Sequence, residues 1–203
     1  MHGYKITHNG PISGFIPYCI GRVWMWIFGW DVMGWVPHGG KFVLIGAPHT
    51  SNWDFPFALA TLYIFRLKIS WMGKHTLFKK PFGKIMRWLG GIPVDRSSEH
   101  GVVDQIIEQF NESRKLVVTI APSGTRKKRA YWKSGFYWIA YTAQVPILCG
   151  YLDYRRKKAC LGLSFLPTGD INKDMDRIRE FFKGVRGKNP ELTTRIRLMD
   201  ETH

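Results

Sequence analysis

The sequence predicts an α/β domain built on a mixed, largely parallel sheet flanked by helices. Short apolar runs of strand length alternate along the chain with amphipathic stretches of helical period, the pattern expected when helices carry parallel strands across a sheet. Three polar clusters, "PHTSNWD" (48–54), "PVDRSS" (93–98) and "PSGTRKKR" (122–129), each follow such an apolar run. In α/β sheets that is where ligands sit, beyond the carboxyl ends of the strands. At 203 residues the chain can enclose one real core and is too short for two ordinary domains.

The first ten residues, MHGYKITHNG, hold no apolar signal-peptide core behind a basic start. The segment 15–36, "FIPYCIGRVWMWIFGWDVMGWV", is apolar and Trp-rich but broken by Arg22, Asp31 and three glycines. Spanning a bilayer takes about 20 mostly apolar residues, and each charge at mid-membrane costs about 2.5–3.5 kcal/mol. The segment therefore reads as an in-plane or re-entrant amphipathic helix pair, with a helix packed on the protein's own core as the alternative. Residues 1–40 are expected to form an N-terminal membrane-associating helical segment and 41–203 the α/β part of one structural domain.

Residues 41–47 form a continuous apolar run of strand length, and 54–68 read as a helix capped by Asp54 with Pro56 in its first turn. A short strand at 70–73, a short helix in 81–89 and a strand edge at 91–95 follow. Residues 99–115 carry Val102, Val103, Ile106, Ile107 and Phe110 at helical spacing, and 116–121 are rich in β-branched residues. A helix at 135–143 precedes a strand at 146–152. One more strand at 160–166 leads to a closing helix at 174–183 with Ile178, Phe181 and Phe182 inward. There is no internal repeat or low-complexity linker, and the tail "NPELTTRIRLMDETH" carries no usable signal.

Thirty Lys and Arg against fifteen Asp and Glu leave a net charge of +15, so the surface attracts polyanions: nucleic acid, anionic headgroups or acidic carrier proteins. An aromatic content of 15% with nine Trp and thirteen Phe favours the membrane surface, where Trp serves as an amphipathic anchor. Cys19, Cys149 and Cys160 lie too far apart for a metal motif or a disulfide framework, which points to a reducing cytoplasm and to no metal.

"GAPHTSNWDFP" places His49 and Asp54 five residues apart directly after the strand-like run. Taking a proton from an alcohol needs a base that titrates near neutrality, which an unperturbed histidine supplies. An aspartate on the other ring nitrogen fixes the tautomer and stabilises the imidazolium. A turn lets the two meet, whereas an extended strand would hold them about 16 Å apart. Asp54 is also a good helix cap and a histidine in a turn is often only solvated, so spacing alone leaves both readings open. His38 and His75 lack such a partner, and His2, His8, His100 and His203 look peripheral.

"HTSNWD" resembles the H-x-x-x-x-D block (HX4D) of the glycerophospholipid acyltransferase family, the lysophosphatidic acid acyltransferases and their relatives. "GGIPVDR" (90–96), "APSGTR" (121–126) and "VPILCGYLD" (145–153) resemble its second, third and fourth blocks in order and spacing. "MGKHTLFKKPFGKIMRWLGGIPVDR" matches the approach to the second block, with Lys74 at a position the family often keeps basic. The likeness covers about 40–155 and implies the glycerolphosphate acyltransferase-like version of the predicted fold.

What the resemblance implies is transfer of a fatty acyl group from a thioester, on acyl carrier protein or coenzyme A, to a hydroxyl of a lysophospholipid-like acceptor on the cytoplasmic face of the membrane. No resident cofactor is required, since the thioester is already activated. His49 would be the general base oriented by Asp54. Arg96 and Arg126, with Lys74, would hold an acceptor phosphate, and donors near Gly124 and Thr125 would face the oxyanion. Ser123 departs from the family pattern, which has glutamate there, and removes a negative charge beside Arg126.

Two other classes remain open from the residues. Ser123 as a nucleophile with His49 as base would make a hydrolase or esterase, although "APSGT" lacks the leading glycine of the G-x-S-x-G elbow. "RKKRAYWK" (126–133) interleaves basic and aromatic residues as single-stranded nucleic-acid platforms do, so a basic membrane-surface or nucleic-acid-binding protein without catalysis is the third reading. The intact His49 and Asp54 favour the enzyme, with no nucleic acid expected.

Overall fold

The computed structural model describes residues 4–5, 12–79, 81–94 and 99–201. Its centre is β3 (Lys41–Gly46), in which Phe42, Val43, Leu44 and Ile45 are all buried. A strand with apolar residues on both faces can only sit in the middle of a covered sheet. Among the described residues it belongs to an eight-stranded sheet that begins at one edge with β1 (Tyr4–Lys5), paired in parallel with β2 (Asp31–Trp35). Beyond β3 come β4 (Ser70–Lys74), β5 (Gly91–Val94), β6 (Leu116–Ile120), β7 (Ile147–Asp153) and β8 (Lys158–Phe165). The spatial order is β1-β2-β8-β7-β3-β6-β4-β5. All neighbours pair in parallel except β7 and β8, which form an antiparallel hairpin.

The alternation of side chains along β3 divides the helices into two layers. Phe42 and Leu44 pack with Val117, Leu148, Leu62 and Phe65, the last two supplied by α2 (Asp54–Ile64) and the residue that ends it. On that layer α1 (Phe15–Phe28) lies against α2. Val43 and Ile45 face α4 (Glu99–Glu112), α5 (Gly135–Thr142) and α6 (Ile171–Phe181) through Ile106, Phe110, Phe136, Ile139, Met175 and Ile178. Each such side chain contributes about 1.5–3 kcal/mol on burial. A shorter helix, α3 (Gly83–Trp88), follows a 3-10 turn at His75–Phe78.

The alternation read from the sequence is present, with element ends shifted by a few residues. Two expectations change. Segment 15–36 is not a helix pair: its second half, Asp31–Trp35, is the strand β2, in register with Lys158–Leu161 of β8. The chain leaves α1 through Gly29 at φ +66, a left-handed C-cap that ends the helix early enough for this strand to join the sheet. Nor does the Asp54 side chain cap α2. It turns back to the two residues after His49 (below), and the 54–68 helix stops at Ile64.

The closeness of α1 to α2 is set at Gly21, where a Cβ would meet the Ala60 carbonyl oxygen at 2.6 Å. The inner face of α1 buries Met25 and packs Trp24 and Phe28 on Phe57. Its outer face leaves Ile16, Ile20, Val23 and Ile27 more than half exposed. No described helix is long and apolar enough to cross a membrane.

Candidate active site

At the carboxyl end of β3 the chain passes through a cis Ala47–Pro48 bond into Thr50-Ser51-Asn52, whose short polar side chains favour turns. Ser51 Oγ accepts from the Trp53 amide at 3.2 Å, and the amides of Asp54 and Phe55 donate to the Ser51 and Asn52 carbonyls. This tight turn puts Asp54 at the start of α2 and folds its carboxylate back under His49.

Asp54 Oδ2 gathers three donors: His49 Nδ1 at 3.0 Å, the Thr50 amide at 2.7 Å and the Ser51 amide at 2.9 Å. Burial works to raise the Asp54 pKa, but the hydrogen bonds from His49 and Ser51, the nearness of the Tyr154 hydroxyl and the attraction of His49 outweigh it and hold the carboxyl below its ordinary value. The start of α2 adds the positive end of the helix dipole. Since an ionised carboxylate only accepts, His49 Nδ1 donates in this contact, and in the neutral ring Nε2 is then the acceptor nitrogen. Asp54 is almost sealed while the His49 side chain keeps 27% of its surface exposed, so the acid is fixed and the imidazole can reach a substrate.

The other carboxylate oxygen, Oδ1, is buried without a well-formed hydrogen bond, and so is the Tyr154 hydroxyl. The two are neighbours: burial first, then the Asp54 carboxylate, pushes the Tyr154 pKa far up, keeping the phenol protonated and able to donate. Its ring is wedged edge-on against Trp30 and Phe57, with the Lys188 ammonium 5.5 Å from its centre.

His49 opens into a cleft with about 100 Å³ of free space, lined also by Pro48, Ser123, Trp132, Phe182 and Thr194. That is smaller than the roughly 150 Å³ cavity that accommodates benzene, so the recess has no room for a long apolar group. Ser123 is therefore beside the histidine. Its hydroxyl donates to the Thr125 carbonyl at 2.8 Å, an engagement within the turn and not one with His49. Gly124 has φ +65, and its amide donates to the Ala121 carbonyl. That N–H is engaged within the turn. Thr125 Oγ1 accepts from the Lys127 amide, and Arg126 is exposed outside the cleft lining. Lys74 places its backbone in β4, but its side chain, like the whole of Arg96, lies outside the described residues.

Two features escaped the sequence reading. Tyr154 stands one residue past the fourth block, a position with no motif to mark it. The C-terminal segment forms the back wall of the cleft: Asn189 donates from Nδ2 to the Thr50 carbonyl at 2.8 Å and from its amide to Thr50 Oγ1 at 3.1 Å. Gly187 there packs so near Thr50 that a Cβ would approach Oγ1 to 2.7 Å.

The acyltransferase family profile matches residues 34–152, more than half of the chain. A search among proteins of curated function found no significant match. Among solved structures, the chain resembles the 1-acyl-sn-glycerophosphate (LPA) acyltransferase PlsC from Thermotoga maritima, with a TM-score of 0.53 and 20% sequence identity, over 82% of this chain and 73% of that one.

Proposed function

The chain belongs to the acyltransferase family, and on that premise we propose that it moves a fatty acyl group from a thioester, on acyl carrier protein or coenzyme A, to a hydroxyl of a lysophospholipid-like acceptor. The observation that carries the reading is the 3.0 Å contact between His49 Nδ1 and Asp54 Oδ2 at the mouth of the cleft.

In this mechanism His49 Nε2 takes the acceptor's hydroxyl proton as the oxygen attacks the thioester carbonyl. Asp54 stabilises the imidazolium, and the departing thiolate recovers the proton. The Tyr154 hydroxyl moves onto Asp54 Oδ1 as the imidazolium forms, a tightening common at sites that are loose before substrate binds. Arg96 and Lys74 hold the acceptor phosphate, with Arg126 at the outer edge of the site. With Ser123 where relatives carry glutamate, Arg126 lacks an anionic neighbour at that position, so the acceptor pocket is more positive than the family pattern. The protein works as a peripheral or monotopic enzyme on the cytoplasmic face of the membrane. Residues 1–40 carry the membrane-associating helix α1, whose exposed isoleucines support a membrane contact, and 41–203 carry the chemistry.

The experiment supplies labelled acyl thioester, on either carrier, with a membrane lipid extract, and identifies the acylated lipid for wild type and H49A. Loss of a general base is expected to lower turnover about 10²–10⁴-fold. A lipid product at undiminished yield in H49A rejects the mechanism.

A further inference from the structure

On the sheet layer that carries α1 and α2, a second apolar surface stands out. Along α3 and the residues before it, Trp88 is 78% exposed, Phe82 62%, Ile85 51% and Leu77 50%. Phe82, Ile85 and Trp88 recur every three residues, which puts them along one side of a helix. None lines the His49 cleft. Soluble monomers rarely leave contiguous large apolar side chains facing water without a partner.

Its position is fixed by an aromatic chain across the sheet. Trp71 of β4 packs edge-on against Phe55 of α2, with ring centres 5.2 Å apart, and tilts against Phe78 at 5.8 Å. Its indole N–H donates to the Leu89 carbonyl just past α3 at 3.0 Å. The α3 surface thus lies on the same side of the sheet as α1, with α2, whose first residue is the Asp54 that holds His49, between them.

Charge selects the occupant. Residues 70–94 hold five Lys or Arg and no Asp or Glu, and Lys79, Lys84 and Arg87 are exposed among the apolar side chains. A second copy of the chain docking face to face would set these cations against themselves. An acidic carrier protein would answer the charge but leave four large apolar side chains needing an apolar medium. Trp and Phe interleaved with Lys and Arg suit the boundary between anionic headgroups and acyl chains, where the rings sink and the cations remain at the phosphates.

We propose that the α3 surface, through Leu77, Phe82, Ile85 and Trp88 ringed by Lys79, Lys84 and Arg87, is a second membrane contact specific for anionic lipid. It rests on the reading that the enzyme works at a membrane and adds a footing on the far side of α2 from α1. With two contacts the His49 turn keeps one orientation to the bilayer, where a single helix would let the domain pivot. The joint affinity exceeds that of either contact because the second binds intramolecularly.

The test is sedimentation of the full chain with vesicles of phosphatidylcholine alone or containing about a third phosphatidylglycerol. F82S/I85S/W88S should lower partitioning into the anionic vesicles at least about tenfold, with the far-ultraviolet circular dichroism of wild type. K79Q/K84Q should lose the preference for anionic over neutral vesicles and weaken the salt dependence. In detergent micelles both variants should acylate a dispersed lysolipid at the wild-type rate. Wild-type partitioning of the folded triple variant overturns the proposal. So does a defect confined to a raised KM for acyl carrier protein thioester, or a change of oligomeric state with vesicle binding intact. Because partitioning is read without turnover, a failure of the acyl-transfer reading in H49A leaves this result standing by itself, and the reverse.

Discussion

Two aspartates, Asp54 at the head of α2 and Asp174 in the first turn of α6, are almost sealed from solvent, and each offers one oxygen to three donors. Asp174 Oδ2 accepts from the Tyr137 hydroxyl at 3.0 Å, the Thr168 amide at 2.7 Å and the Thr168 hydroxyl at 3.1 Å. Asp54 replaces one of these with an imidazole. Tyr137 is wholly buried, and its pKa is pushed up to about 12 by burial and then by Asp174. His49 has an open edge. The chain thus twice buries a carboxylate with three donors on one oxygen, and only at Asp54 does one of those donors keep an edge open to solvent. Asp174 ties the loop before α6 to α5, whereas Asp54 orients His49, the base of the proposed mechanism.

The comparison breaks or sharpens under substitution. The largest effect is expected for D54N, which keeps an acceptor for the two amides but loses the charge that favours the imidazolium: turnover should fall about 100-fold or more, with only a small loss of thermal stability. D174N should invert that pattern. Weakening a buried acid that accepts three hydrogen bonds costs about 1–3 kcal/mol, about 3–10 °C of melting temperature for a chain of this size, with kcat unchanged. Equal kcat losses in D54N and D174N would mean that the distinction drawn here is false.

The tyrosines repeat the contrast on a smaller scale. Y154F keeps the ring between Trp30 and Phe57 and removes only the hydroxyl, so kcat should drop about 3- to 10-fold with KM near wild type, a neutral hydrogen bond amounting to about 0.5–1.5 kcal/mol. In the D54N background the same change should have little further effect, because the two groups act together. Y137F should lower the melting temperature and leave kcat alone. Smallest is the pH effect. Asp54 is held below its ordinary pKa, so its contribution to stability is complete above about pH 4 and is lost as the pH falls through the lowered value. The difference in melting temperature between wild type and D54N should therefore shrink on acidification.

The sheet's centre was legible because a strand buried on both faces must read as an unbroken apolar run, as 42–45 do. The contact between His49 and Asp54 was legible because their spacing is local. The strand β2 was not: in "DVMGW" the residues match a membrane-seeking segment as well as a strand, and only pairing with β8, more than 120 residues on, decides. Tyr154 was missed for a related reason. Its link to Asp54 spans 100 residues, and nothing near it in the chain says which way its hydroxyl points. The engagement of the Gly124 amide in its own turn is likewise something a motif does not reveal.

The Asn189 contacts to Thr50 carry a practical consequence. The family match ends at residue 152, and trimming the chain soon after β8 would keep every recognisable block. It would also remove the brace behind the histidine turn, so a shortened version can hold all the signature residues and still fail to aim them.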